Sequence, residues 1–142
     1  MATCGVFKMC VNIDNPKEFQ VEKFTWEQFE RGCQLLARQI KNSGFDFYGI
    51  YGIPRGGLVL AVRLSHLLKL KLFTKSPRLF NLRRVLIVDD ISDTGKTLLS
   101  FKKEGFKIAT LHYHLDTEVK PDFHVHIKHD KWIEYPWERS EA

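Results

Sequence analysis

Two kinds of hydrophobic pattern alternate along the chain. Thr25 and Gln28 form a capping-box pair, and Trp26, Phe29, Cys33, Leu36, Ala37 and Ile40 recur three or four positions apart. That spacing predicts a helix with one apolar stripe, ending near Gly44. Continuous apolar runs then take over. Tyr48 to Ile53 (YGIYGI) predicts a strand, Leu58 to Leu68 a helix, and residues 70–74 a short strand. Val85 to Val88 are four consecutive aliphatic residues rich in β-branching, as in a parallel strand covered on both faces; the predicted strand covers 84–90. A helix over about 94–104 and strands at 107–113 and 123–127 follow. Alternation of this kind predicts an α/β fold with a doubly wound, mostly parallel sheet.

The chain has 142 residues and is 44% hydrophobic, enough for one core, so a single domain over 1–142 is expected. Residues 1–24, with VFKMCVNI and the polar turn Asp14-Asn15-Pro16-Lys17, read as an added strand or an arm. Lys and Arg total 22 against 17 Asp and Glu, a net +5 that suits nucleic acid or a small polyanionic substrate. Nucleic-acid binding rests on charge alone, has no recognisable motif, and predicts steep salt dependence. Lys69, Lys71, Lys75, Arg78, Arg83 and Arg84 cluster in sequence, either as a solvated basic face or as a guide for a charged substrate. The three cysteines show no metal-type pairing, and there is no signal-peptide pattern or 18-residue apolar span. A soluble, cytoplasmic protein without a membrane partner is the expectation.

Candidate chemistry concentrates in residues 85–98, VLIVDDISDTGKTL. Asp89 and Asp90 stand at the carboxyl end of the predicted strand, where ligands of open α/β sheets collect. Ionised, they are acceptors for vicinal sugar hydroxyls, or hold Mg²⁺ through water. Ser92, Asp93, Thr94, Gly95, Lys96 and Thr97 then bring hydroxyls and backbone N–H groups to the start of a helix, whose dipole favours an anion. Together these residues suit a ribose 5-phosphate. A P-loop would need glycine where Asp90 stands, so the Gly-Lys-Thr is not one. Pro54, Arg55, Gly56 and Gly57 follow the earlier strand; the paired glycine N–H groups beside an arginine suit a diphosphate, though taken alone PRGG is also a tight strand-to-helix turn.

The string DDISDTGKT resembles the phosphoribosyl-diphosphate (PRPP) signature of type I phosphoribosyltransferases, and PRGG is similar to that family's pyrophosphate loop, with its strained or cis peptide before the arginine. The segment Trp132 to Glu138, WIEYPWE, resembles the purine-binding tail of small xanthine-guanine and archaeal-type hypoxanthine-guanine enzymes, here placed in 128–142. The resemblance runs from about 24 to 138. It implies a Mg²⁺-dependent purine phosphoribosyltransferase of the salvage type, taking PRPP and a 6-oxopurine such as guanine, xanthine or hypoxanthine. Asp93 is then the general acid/base near purine N7. Asp89 and Asp90 hold ribose hydroxyls and hydrated Mg²⁺, Asp93 to Thr97 the 5-phosphate, and Arg55, Gly56 and Gly57 the diphosphate. Trp132 stacks on the base, the Ile133 backbone reads its edge, and an acid at Glu134 or Glu138 touches base, water or metal. Relatives are commonly dimers or tetramers, so self-association is expected.

Two departures from the family pattern matter. The segment between Phe73 and Arg84 is too short for the usual mobile lid, which implies a minimal hood, a very short loop, and either slow catalysis or a lid from another protomer. Relatives that bind 6-oxopurines carry a lysine after the strand matching IATLHYH, where this chain has His114, or Tyr113 if the match is shifted by one residue. Histidine can donate or accept, which weakens the 6-oxo preference and leaves adenine open. Both departures motivate an alternative, a PRPP- or nucleotide-binding regulator with little catalysis; the retained purine platform argues against it. His112, His114, His124 and His126 alternate on two strands, a pattern more often exposed or hydrogen-bonded than metal-binding.

Overall fold

In the computed structural model, which describes residues 20–80 and 82–138, strand β1 (Val21–Lys23) leads straight into the capping box. Thr25 Oγ1 accepts the Gln28 N–H at 3.1 Å, and Gln28 Oε1 accepts the Thr25 N–H at 2.8 Å. Helix α1 (Trp26–Asn42) follows and buries Phe29, Gly32, Cys33, Leu36, Ala37 and Ile40. Trp26 departs from the predicted stripe: at the first helical position it stays 53% exposed, with its ring against Phe29 and Trp137. The remaining elements are β2 (Gly49–Gly52), α2 (Leu58–Leu68), β3 (Lys71–Phe73), β4 (Val85–Ser92), α3 (Lys96–Lys103), β5 (Ile108–His114), β6 (Phe123–Lys128) and β7 (Trp132–Glu134). Single 3₁₀ turns span Pro77–Phe80 and Pro136–Glu138.

Five strands form one sheet in the order β3-β2-β4-β5-β6, and every pairing in it is parallel. The doubly wound expectation holds. Helices α1 and α2 pack with Ile50, Leu86, Val88, Ala109 and Leu111 on one side, and α3 seals the other through Leu98 and Phe101 against Ile87 and Ile108. Val85, Leu86, Ile87 and Val88 are all fully buried, as a strand covered on both faces must be. The chain leaves β2 outward to β3, then returns to β4 and continues outward through β5 to β6, so the order reverses between β2 and β4. Ligands of open α/β sheets bind at the carboxyl ends beside such a reversal.

Several element boundaries differ from expectation, and those of β4 and α3 matter to the site. Strand β4 continues two residues past Asp90 because Ile91 and Ser92 still pair with His112 and Tyr113 of β5. Helix α3 starts at Lys96 instead of 94, since Gly95 is left-handed at φ 84° and cannot lie inside a right-handed helix. A second, two-stranded parallel sheet joins β1 to β7, Val21 opposite Trp132 and Lys23 opposite Glu134. It realises the end of the expected amino-terminal strand as a minimal hood; residues 1–19 of that arm lie outside the described residues. Ahead of the undescribed residue 81, the 3₁₀ turn at Pro77–Phe80 is tied to α3 through Arg78. Arg78 reaches the Ser100 hydroxyl, pairs with Glu104 at 3.0 Å, and lays its guanidinium 3.9 Å from the Phe101 ring centroid. Among the described residues no helix is long and apolar enough to cross a membrane.

Candidate active site

At the reversal point the loop after β2 meets the acidic end of β4. The Pro54–Arg55 peptide is cis. Gly57 lies so close to β4 that a Cβ there would collide with the Val88 carbonyl oxygen, and a Cβ on Gly56 would stand 2.6 Å from Asp90 Oδ2. These glycines let the loop backbone close on the carboxylate. The expected pair of glycine N–H donors is not formed, however, because the Gly57 N–H donates inward to the Ile53 carbonyl at 2.9 Å. Gly57 is therefore a packing residue, while Gly56 lies against the Asp90 carboxylate and Arg55 is exposed beside it in the chain.

Asp89 and Asp90 are part-buried neighbours on one strand. The Asp90 N–H donates to Asp89 Oδ1 at 2.9 Å, and the Ile91 N–H to Asp90 Oδ1 at 2.8 Å. Burial, and then the Asp90 charge, pushes the Asp89 carboxyl up to about 9; burial also raises Asp90. Such a pair gains from any cation brought beside it. Two carboxylates are hard oxygen donors of the kind Mg²⁺ takes together with substrate oxygens and retained water, and no group of three acidic, histidine or cysteine ligands occurs among the described residues.

Beyond the pair, Asp89 and residues 91–98 line a cavity of about 110 Å³ at the start of α3. Thr94, Lys96 and Thr97 are exposed there. Thr94 Oγ1 accepts the Lys96 N–H at 3.3 Å, and Gly95 is held against Thr117, whose Oγ1 would be 2.6 Å from a Cβ. Ser92 corrects the sequence reading. Although the residue lines the cavity, its hydroxyl is buried, donates to the Val119 carbonyl at 2.7 Å and lies 2.8 Å from the Thr117 hydroxyl, so it braces the turn instead of presenting a free donor.

A second cleft, about 180 Å³, is lined by Asp90, Ile91, Asp93, Lys128, Trp132, Ile133, Tyr135 and Glu138. Trp132 is 46% exposed and contributes a flat aromatic ring to the lining of this cleft. The Trp132 N–H donates to the Gln20 carbonyl at 2.9 Å and the Glu134 carbonyl accepts from Phe24 at 2.9 Å. Strand alternation then turns the N–H and C=O of Ile133 away from β1, where a ligand edge can meet them. Glu138 Oε1 accepts the Tyr135 N–H at 3.1 Å; burial raises its carboxyl, as does nearby Asp90.

The residue missed from sequence is Lys128. Its Nζ lies 2.9 Å from Asp93 Oδ2 and 5.9 Å from the Trp132 ring centroid, with 14% of the side chain exposed. His114, expected at the base, is its register partner on β5, but does not line this cleft; its Nδ1 accepts the Asp116 N–H at 3.1 Å. The ammonium thus comes from β6 instead of from the end of β5. A signal for it was present in the sequence: the alternation His124, His126 continues to Lys128 on the same strand face.

No family model matches the chain. Among solved structures it is similar to a purine phosphoribosyltransferase from Pyrococcus horikoshii, 33% identical over 87% of this chain and 97% of that one, with TM-score 0.70. A xanthine-guanine-hypoxanthine phosphoribosyltransferase from Helicobacter pylori shares the fold at 21% identity and TM-score 0.71, covering 84% of this chain and 94% of that one. A Bacillus anthracis hypoxanthine-guanine phosphoribosyltransferase does so at 18% and 0.62, covering 75% and 81%. With its reversal-point site, cis-peptide loop and acidic strand end, the chain belongs to the purine phosphoribosyltransferases of the type I phosphoribosyltransferase family.

Proposed function

We propose that the protein joins PRPP to a 6-oxopurine, giving a nucleoside 5′-monophosphate and diphosphate. The observation that carries this reading is the Asp93–Lys128 pair, 2.9 Å apart, in one cleft with Trp132. Purine N7 and O6 share an edge, and an adjacent carboxylate and ammonium are complementary to both: N7–H donates to Asp93 and O6 accepts from Lys128. Adenine offers an amino group at position 6, which an ammonium cannot satisfy.

In this mechanism the base N9 forms a bond to ribose C1 as the bond from C1 to the diphosphate oxygen breaks, and the N7 proton passes to Asp93. Asp89 and Asp90 hold the ribose hydroxyls, residues 94–97 the 5-phosphate, and Arg55 with Gly56 the departing diphosphate. Asp89 and Asp90 would hold Mg²⁺, which when bound would supply charge neutralisation for the departing diphosphate. Little covalent work falls to the protein, so positioning and electrostatics dominate.

Incubation with PRPP, Mg²⁺ and each of guanine, hypoxanthine, xanthine and adenine tests the proposal. Monophosphate formation from 6-oxopurines above adenine is expected. Binding of PRPP without turnover of any base would replace this reading with that of a nucleotide-binding regulator.

A further inference from the structure

Two buried polar side chains, Tyr135 in the wall of the base cleft and His112 beside it, have no part in the chemistry above. Tyr135, 2% exposed, donates from its hydroxyl to the Asp90 carbonyl at 3.3 Å and lies 2.9 Å from His112 Nδ1. His112, also 2% exposed, sits on β5 opposite Ile91, one residue past Asp90. A phenol has one proton and must accept from its second partner. The hydrogen bonds therefore run from His112 Nδ1–H to the Tyr135 hydroxyl and on to the Asp90 carbonyl.

This chain joins separate parts of the site. The hood sheet of β1 and β7 has no backbone pairing with the five-stranded sheet among the described residues. Tyr135 belongs to the segment that carries Trp132, Ile133 and Glu138, and its own N–H and C=O are tied to Glu138, at 3.1 and 3.0 Å. Its ring stacks on Trp137 at 4.9 Å and 7°, with Phe24 edge-on at 5.7 Å. Asp90 belongs to the strand that holds the ribose.

We propose that His112 is a positioning residue for the purine: through the Tyr135 hydroxyl it sets the spacing between the base-binding segment and the acidic strand. Burial, followed by the charges of His126 and Lys128, lowers the His112 imidazole to about 3, so it stays neutral across the working range. The groups facing it are His126 on β6, with ring centroids 5.1 Å apart, the Phe24 ring at 4.9 Å, and Tyr135.

The inference rests on the proposed transfer reaction, and its test separates the two. Wild-type turnover of guanine examines the reaction itself. His112→Phe keeps an aromatic of similar size without the donor, Tyr135→Phe keeps the ring without the hydroxyl, and His112→Asn returns an N–H near the Nδ1 position. For both phenylalanine variants we expect KM for guanine to rise about five- to tenfold, the worth of one hydrogen bond, with KM for PRPP within twofold of wild type. His112→Asn should recover part of that loss. An unchanged guanine KM, or equal increases for both substrates, would overturn the assignment. ¹⁵N imidazole shifts provide a readout that needs neither turnover nor a stable variant: the His112 Nδ1–H tautomer is expected, and the Nε2–H tautomer would overturn the donor chain.

Discussion

The half of the site proposed to face ribose phosphate and the half proposed to face the base are built differently. The first is a single stretch, Asp89 to Thr97, whose internal hydrogen bonds join residues one or two apart: Asp90 to Asp89, Ile91 to Asp90, Lys96 to Thr94. The second draws Lys128 from β6, His112 from β5 and Tyr135 from the tail, with contacts spanning 35 residues to Asp93, 23 to Tyr135 and 45 to Asp90. A subsite written in one contiguous string has little freedom to vary without losing its geometry. One assembled across strands can take the same charge from a different element, as Lys128 does where the family pattern leads to His114.

Asp93 is where the halves meet, so its loss should have the largest effect. Asp93→Asn keeps the shape but removes the proton acceptor, and we predict that kcat with guanine falls by roughly 10²- to 10⁴-fold while KM for PRPP changes little. Steady-state kinetics varying each substrate in turn measures both. Comparable losses in kcat and PRPP affinity would place Asp93 in phosphate binding instead of proton transfer.

Lys128→Gln sharpens the comparison from the base side. A hydrogen bond from a charged group is worth about 1.5–3 kcal/mol, so KM for guanine or hypoxanthine should rise about 10- to 100-fold with PRPP binding preserved. Any residual use of adenine should be untouched, and a matching loss there would mean that Lys128 supports the fold and not the choice of base.

The acidic strand end gives a smaller effect, read in stability. Asp89 ionises near 3.8 in the unfolded chain and at about 9 in the folded one. Between those values the folded state holds the extra proton, so stability falls as pH rises through that window. Thermal unfolding without divalent metal should show Tm decreasing from about pH 5 to pH 9, with Asp89→Asn flattening the slope and raising Tm at the alkaline end by a few degrees. Mg²⁺ should restore Tm more at pH 9 than at pH 5. A Tm that climbs across this range would show that the pair is already compensated.

The same contrast explains what the sequence made legible. The capping box at Thr25 and Gln28 and the fully buried Val85 to Val88 act through neighbours in the chain and stand where they were expected, whereas in the DDISDTGKT string the strand ends two residues later and the helix starts two residues later than the sequence suggests. Strands β1 and β7 have three residues each, too few for a period to show, and exist only through pairing with one another. Ser92 reads as one more hydroxyl in a hydroxyl-rich turn, yet strand alternation together with Thr117 and Val119, far along the chain, turns it inward. The Gly57 N–H is lost to Ile53 through loop curvature that no residue type encodes. Lys128 needed a register between β5 and β6 that sequence alone leaves open.

The smallest expected effect is also the one that most directly sets the two histidine-bearing strands apart. His114 and Lys128 are opposite one another at the ends of β5 and β6. If the resemblance held residue by residue, His114 would read the base; in the structure its Nδ1 is occupied by the Asp116 N–H at 3.1 Å and only Lys128 of the two reaches the cleft. His114→Ala should therefore leave the ratio of guanine to adenine turnover within about twofold, because the loss of one solvent-accessible hydrogen bond is worth about 1 kcal/mol at most and is not directed at the substrate. Measured beside Lys128→Gln in the same base panel, a larger change from His114→Ala than from Lys128→Gln would return base reading to the end of β5, and the strand exchange inferred for the ammonium would fail.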